Sequence, residues 1–336
     1  MTVRVAINGF GRIGRATAKI MMDRPDMELV AVNDLTDTVT LAHLLKYDSF
    51  FGVYNKNVSH TEDSILIDDK KIALFKEKDP SLLPWGKLNI DVVLECTGKF
   101  TKSVDAEAHI KAGAKKVIIS APAKDDTHTY AMGVNNLEYK GEEIISNASC
   151  TTNCMAPITK VIEDTYGITN AMMTTTHSYT SSQNIVDGPN KDLRRARTAG
   201  LSMIPTTTGA ATAVAKVIPT LEGKMTGMSI RVPTANVSLL DVTYLLEKAP
   251  GSLDEVKKLF VDASDGAMKG IIETTEIPLV SIDFKANSNS AIVDLPLMQL
   301  SGNMLKIFAW YDNEWGYSTR LVDMAEYIGL KKIFLL

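Results

Sequence analysis

Two side chains able to do covalent chemistry on a carbonyl stand out, Cys150 in "SNASCTTNCMAP" and His177 in "TTTHSYT". A thiolate is a strong nucleophile, and an imidazole near neutrality can take its proton and later return it. Cys150 lies between small polar residues, at a strand end and just before an apolar helical run of Met155, Ile158, Val161 and Ile162. The free amides and dipole of a helix start favour an anion, so this position is expected to lower the thiol pKa. His177 sits where a β-rich run gives way to the polar segment 178–200. Cys96 and Cys154 read as small buried hydrophobes. On these residues alone, a structural Cys150 and a core His177 satisfied by backbone stay open as alternatives.

Further along, the residues suit anions. Arg194, Arg195 and Arg197 form a basic cluster, and Arg231 stands alone in an otherwise apolar strand pattern. An arginine in such a strand needs a fixed anionic partner, because isolated buried charge is costly. That partner is either a ligand or an acid of the same chain; for the cluster, a solvated basic face is the alternative. "TTTGAATAVAKV" puts Thr208 and Gly209 at a helix start, another place for an oxyanion.

The elements that must position these groups begin at the N-terminus. Val3, Val5 and Ile7 form a short buried-strand pattern that ends at Asn8-Gly9, and Ile13, Ala16, Ile20 and Met21 then have helical spacing. Between them runs Gly9-Phe10-Gly11-Arg12-Ile13-Gly14, a G-x-G-x-x-G. Its first glycine permits a tight turn, its second lets backbone approach a pyrophosphate, and its third lets helix pack on strand. A second strand, "MELVAVND", ends in Asp34 about twenty residues on, where a carboxylate would hold a ribose hydroxyl. That acid would repel a 2′-phosphate, so NAD is the expected cofactor. Arg12 is placed near the pyrophosphate. "DVVLECTG", "KKVIIS" and "EEIISNAS" continue the strand–helix alternation, predicting a doubly wound Rossmann-type parallel sheet over residues 1–150. Thr97, Gly98 and Ser120 fall at strand ends, where such sheets bind ligands.

Residues 151–315 hold longer, alternating strands with fewer helices, which predicts a mixed, mostly antiparallel sheet and an α+β second domain. If Cys150 and His177 meet beside a nicotinamide, attack on an aldehyde gives a hemithioacetal. His177 takes its hydroxyl proton as hydride leaves, and a thioester results.

Composition narrows the field. A chain of 336 residues with net charge −4 has no reason to take nucleic acid as its primary partner. No apolar run is long enough to span a bilayer, and "MTVRVAINGFG" is not built as a signal peptide. Three cysteines imply no disulfide framework, and reduced thiols point to a cytoplasmic setting. The five histidines show no ligand spacing with the cysteines, so no metal is expected.

"INGFGRIGR", "SNASCTTNC", "TTTHSYT", "DLRRAR", "TTTGAA", "RVPT" and "WYDNEWGYS" together resemble the phosphorylating glyceraldehyde-3-phosphate dehydrogenase family, from residue 2 to about 328. The resemblance implies Cys150 as nucleophile and His177 as base. It implies an inorganic phosphate site at Ser149, Thr151, Thr208 and Gly209, and a substrate phosphate site at Thr180, Arg195 and Arg231. Cofactor contacts carry over to Gly9, Gly11, Arg12, Ile13, Gly14, Asp34, Lys78, Thr97, Gly98, Ser120 and Asn313. It also implies a homotetramer in which segment 178–200 packs near a neighbour's cofactor, and a last helix, 316–336, folded back on the first domain. Four departures stand out: Phe51 for a frequent histidine, Ser182 for Asp or Thr, Gly188 before Pro189, and the apolar tail "KKIFLL". A relative, erythrose-4-phosphate dehydrogenase, hydrolyses its thioester, but its counterpart of "TTTGA" is altered and that of this chain is intact. A non-catalytic NAD-binding sensor and a cysteine hydrolase are the readings from other classes; the second leaves the glycine turn and Asp34 unused.

Overall fold

Hydrophobic strands that alternate with amphipathic helices build the first of two compact units in this computed structural model, which describes residues 2–330. The first unit comprises residues up to Tyr130, Asn136–Ala148 and the stretch from Ser318 onward. Its elements are β1 (Val3–Asn8), α1 (Arg12–Met21), β2 (Met27–Asn33), α2 (Thr38–Lys46), the two-residue β3 (Tyr47–Asp48) and β4 (Gly52–Val53), β5 (Val58–His60), β6 (Ser64–Ile67), β7 (Lys70–Phe75), β8 (Val92–Glu95), α3 (Ser103–Lys111), β9 (Lys116–Ile119) and β10 (Ile144–Ser146). The main sheet runs β10-β9-β8-β1-β2-β7-β6-β5. Pairing is parallel from β10 through β7, while β6 and β5 add an antiparallel edge. The central strands are buried on both faces: Val5, Ile7, Val92, Val93 and Leu94 expose nothing. The doubly wound sheet expected from the sequence is therefore present, with a hairpin edge that the alternation did not announce.

The second unit holds Ala131–Asn135 and Ser149–Tyr317. It contains α4 (Cys150–Tyr166), β11 (Ile168–Ser178), β12 (Ile204–Thr207), α5 (Ala210–Val217), β13 (Met225–Val232), β14 (Ser238–Leu246), α6 (Leu253–Asp265), β15 (Ile272–Thr275), β16 (Ala291–Asp294), β17 (Gln299–Ser301), β18 (Met304–Tyr311) and the start of α7 (Trp315–Leu330). The sheet runs β12-β13-β11-β14-β18-β16-β15, with β17 beside β18. It is mostly antiparallel; β11 pairs β13 and β15 pairs β16 in parallel. Met155, Ile158 and Ile162 of α4 are fully buried in the core beside this sheet. Each such side chain stabilises by about 1.5–3 kcal/mol, enough to hold the helix that begins at Cys150 in place.

From Ser318 onward α7 belongs to the first unit, where Arg24 forms ion pairs with Asp323 and Glu326. The tail 331–336, expected as the end of that helix, lies outside the described residues. Among the described residues no helix is long and apolar enough to cross a membrane.

Candidate active site

In the first unit the chain leaves β1 at Gly9, whose φ of +94° is open to glycine. A Cβ there would lie 2.7 Å from the Thr97 nitrogen, and one at Gly14 only 2.2 Å from the Gly9 carbonyl oxygen. The turn thus packs backbone against backbone. Gly11, by contrast, faces open space. Beside it lies a cavity of about 370 Å³ lined by Asn8, Gly9, Gly11, Asn33, Asp34, Leu35, Glu77, Lys78, Cys96, Thr97, Lys99 and Phe100. This cradle, with a carboxylate at the end of β2 and a helix N-terminus at Arg12, suits an adenine dinucleotide. Asp34 itself is held by the glycine turn: it accepts from the Phe10 amide at 2.8 Å and the Thr36 amide at 2.9 Å.

Of the other residues expected here, Ile13 and Gly14 lie in the first turn of α1, and Gly98 turns with φ +70° after β8. Arg12 pairs with Asp48 at 2.9 Å and stacks on Phe50, its guanidinium carbon 4.3 Å from the ring centre. The Phe51 ring also lies near that guanidinium, its centre 5.6 Å from the same carbon. Ser120 donates to the Glu95 carbonyl through both its amide and its hydroxyl. Asn313 belongs to the second unit, where its Oδ1 accepts from the hydroxyls of Ser178 and Ser238, at 2.8 and 2.9 Å. Those two bonds fix its amide orientation and turn Nδ2 away from them.

In the second unit Cys150 is the first residue of α4, after Ala148 bends the chain with φ +55° and Ser149 caps the helix by accepting from the Thr152 amide. Its Sγ lies 3.5 Å from Nε2 of His177. His177 is buried near the end of β11, edge-on to Tyr311 with ring centres 5.9 Å apart. The parallel ladder sets it opposite Arg231 of β13. Arg231 Nη1 is 2.8 Å from His177 Nδ1 and donates to the Ser178 carbonyl at 3.1 Å. That carbonyl is also 2.7 Å from Nδ1. These two neighbours ask for opposite tautomers: the Arg231 N–H, which can only donate, calls for a lone pair on Nδ1, and the Ser178 carbonyl calls for a proton there. With the proton on Nδ1, the Nε2 lone pair faces sulfur and can accept a thiol proton.

Burial holds the imidazole pKa down at about 3, and the Arg231 charge adds to that, so His177 is neutral and free to act as a base. The thiol corrects the sequence expectation. Burial pushes the Cys150 pKa up, and the opposing pull of Arg231 and the helix-start amides does not overcome it. At rest this is a neutral thiol beside a neutral imidazole, and both shifts disfavour the ion pair that moving the proton from sulfur to nitrogen would create. Cys154, one turn on and fully buried, is pushed up further by desolvation and by Cys150. Cys96 is likewise raised by burial, to about 12.

The remaining anion candidates divide. Arg231 Nε is buried and has no hydrogen-bond partner among the described residues, a donor that suits an incoming anion. Arg195 reaches β12 through Thr206, at 2.9 Å, and its charge acts on Arg231. Arg197 is instead paired with Asp187 on the surface, and Arg194 is exposed. Thr180 hydrogen-bonds the Ser182 hydroxyl at 2.9 Å, which gives the unusual Ser182 a contact at that position. Thr208 accepts from the Ala210 amide before α5, and Gly209 faces open space. Thr151 is buried, its hydroxyl 3.0 Å from that of Tyr311.

Sequence reasoning passed over Tyr311, Ser178 and Ser238, whose roles arise from strands far apart in the chain. Val237 holds φ +68° in a buried position, a conformation that costs a β-branched residue about 1–3 kcal/mol. It lies between Asn236, bonded to Asp312, and Ser238, bonded to Asn313. No sequence signal marks that strain.

Comparison with known proteins gives the family. A family profile described as "Glyceraldehyde 3-phosphate dehydrogenase, NAD binding domain" matches residues 3–103, and its C-terminal domain counterpart matches 149–313. The chain is 53% identical over 334 residues to a glyceraldehyde-3-phosphate dehydrogenase of Geobacillus stearothermophilus, covering 98% of this chain and 99% of that protein. It is 51% identical to glyceraldehyde-3-phosphate dehydrogenase 1 of Bacillus cereus and 50% to that of Bacillus subtilis strain 168, with the same coverage.

Proposed function

Because the chain belongs to the glyceraldehyde-3-phosphate dehydrogenase family, we propose that its chemistry runs through Cys150 and His177, with residues 1–150 holding the cofactor and 151–315 the substrate. The activity is the NAD-dependent oxidation and phosphorylation of glyceraldehyde 3-phosphate, a step of glycolysis. The observation that carries the residue assignment is the 3.5 Å approach of Sγ to a neutral, buried Nε2.

Cys150 Sγ attacks the aldehyde carbon as its proton passes to His177 Nε2, and the imidazole returns that proton to the new alkoxide, giving a hemithioacetal. NAD, when bound, supplies the acceptor for the hydride lost from that carbon. His177 takes the hemithioacetal hydroxyl proton, which leaves a thioester on Cys150. Inorganic phosphate, held by Ser149, Thr151, Thr208 and Gly209, attacks the thioester; the carbon–sulfur bond breaks, 1,3-bisphosphoglycerate leaves, and the departing sulfur takes back the proton held on His177, restoring the thiol. Thr180, Arg195 and Arg231 hold the substrate's own phosphate, with the Arg231 Nε–H as an open donor. Around the cofactor, Gly9, Gly11, Arg12, Ile13 and Gly14 would face the pyrophosphate and Asp34 the adenosine ribose; Lys78 and Thr97 line the same cavity, and Gly98, Ser120 and Asn313 would add further cofactor contacts.

A homotetramer fits the exposed apolar residues of the loop region: Ile185, Val186, Leu193, Leu201 and Met203 are each at least 70% exposed. A cytoplasmic location follows the family habit. The test is NADH absorbance with glyceraldehyde 3-phosphate, with and without phosphate, in the native enzyme and Cys150→Ser. Phosphate-dependent NADH that the serine variant loses by at least about 10³-fold supports the assignment. Phosphate-independent turnover favouring erythrose 4-phosphate, or undiminished activity in the variant, overturns it.

A further inference from the structure

Beneath the cofactor cavity lies a buried polar chain that the chemistry above does not use. Glu95, at the end of β8, is 2% exposed, and four donors converge on its carboxylate. Oε2 accepts from Asn8 Nδ2 at 2.5 Å and lies 3.0 Å from His109 Nε2. Oε1 accepts from the Thr97 amide at 2.8 Å and from the Thr97 hydroxyl. Four donors fill the lone-pair sites of a carboxylate.

Trp85 decides how the imidazole serves this group. Its Nε1–H, which can only donate, points at His109 Nδ1 from 3.0 Å. Nδ1 must therefore carry a lone pair, and the imidazole proton sits on Nε2, directed at Glu95. Both His109 and Trp85 are completely buried, with their rings stacked 6.4 Å apart.

The other end of the chain reaches the cavity wall. Asn8 Oδ1 accepts from Asn33 Nδ2 at 2.7 Å, and Asn33 brackets the Glu77 backbone through both amide atoms at 2.8 Å. Asn8, Asn33, Glu77 and Thr97 all line the cavity. The Thr97 amide that Glu95 holds is also the atom against which Gly9 packs. One carboxylate thus pins both the glycine turn's neighbour and the polar floor.

We propose that Glu95, oriented by His109 and Trp85, is the positioning residue for the adenosine end of the cofactor site. This rests on the reading of that cavity as the NAD site. Replacing one carboxylate oxygen by an NH2 group sets a donor against donors, so the floor must rearrange.

The experiment is calorimetric titration of the full-length enzyme with ADP-ribose, which lacks the nicotinamide, together with kcat at saturating NAD. Glu95→Gln should weaken ADP-ribose binding about tenfold or more, as expected for a misplaced charged hydrogen-bond centre. KM for NAD should rise in step, and kcat should stay within about twofold because none of Glu95, His109 and Trp85 touches the reacting atoms. Trp85→Phe removes one N–H far from the ligand and should weaken binding about two- to fivefold. A merely structural role would lower the melting temperature and leave these affinities alone; that result, or a fall in kcat at unchanged affinity, overturns the proposal. Should Glu95→Gln fail to fold, Trp85→Phe decides: unchanged ADP-ribose affinity refutes it. Native enzyme that does not bind ADP-ribose would sink the cofactor reading itself, a distinguishable failure.

Discussion

The glycine turn of the first unit and the thiol site of the second both handle negative charge, and they are built in opposite ways. The turn works by what it lacks: Gly9 and Gly14 leave room for backbone to touch backbone, and Gly11 leaves room for a ligand. The thiol site works by what it contains: a sulfur and a guanidinium on the two ring nitrogens of one imidazole, at 3.5 and 2.8 Å. Adding atoms should therefore damage the first, and deleting or neutralising them the second. Substitutions chosen by that rule can separate the two regions or show that they are coupled.

His177→Asn is the largest expected effect. It keeps a polar side chain but removes the base, so kcat should fall about 10²–10⁴-fold. ADP-ribose affinity, measured by calorimetry, should not change; a parallel loss of binding would show that the regions are not independent. Gly14→Ala should do the converse. Its Cβ meets the Gly9 oxygen at 2.2 Å, and relieving that clash costs about 1–3 kcal/mol, read as a lower melting temperature and weaker NAD binding. Alkylation of Cys150 by iodoacetamide should proceed at the native rate. Asp34→Asn removes charge from the ribose position and should weaken NAD about tenfold while narrowing the preference over NADP.

Arg231→Gln gives the smallest change when read on the substrate-free enzyme, as a pH profile of Cys150 alkylation. Its positive charge lowers the pKa of both Cys150 and His177. Without it the thiolate loses a stabilising neighbour, so the pH profile of alkylation should move upward by about one unit. The imidazole should become easier to protonate at the same time. A profile that moves to lower pH would contradict the described electrostatics.

The parts legible in the sequence were those that depend on near neighbours. Strand, glycine turn, helix and acid follow one another within residues 3–34, and the small residues around Cys150 precede an apolar helical spacing. His177 was readable as a candidate base, and its contact with Cys150 emerged once β11 and α4 packed. The pKa direction of Cys150 was misjudged because a helix start is a local feature, whereas burial is a property of the finished core. Glu95, His109 and Trp85 looked like ordinary strand and helix residues; their alignment comes from β8, α3 and the segment before β8 meeting in three dimensions. Arg231 was recognised as needing an anionic partner, yet its place beside His177 required the parallel pairing of β13 with β11.

That pairing also tells an engineer where length is negotiable. Eight consecutive partners, Ala171 with Met225 through Ser178 with Val232, act as a ruler between the two strands. Indels or grafted loops in the crossover that joins them need not disturb the ruler. A one-residue slip of either strand would flip every side chain on it to the opposite face and carry the guanidinium away from the imidazole, so re-tailoring of substrate choice belongs in the crossover and not in the ladder.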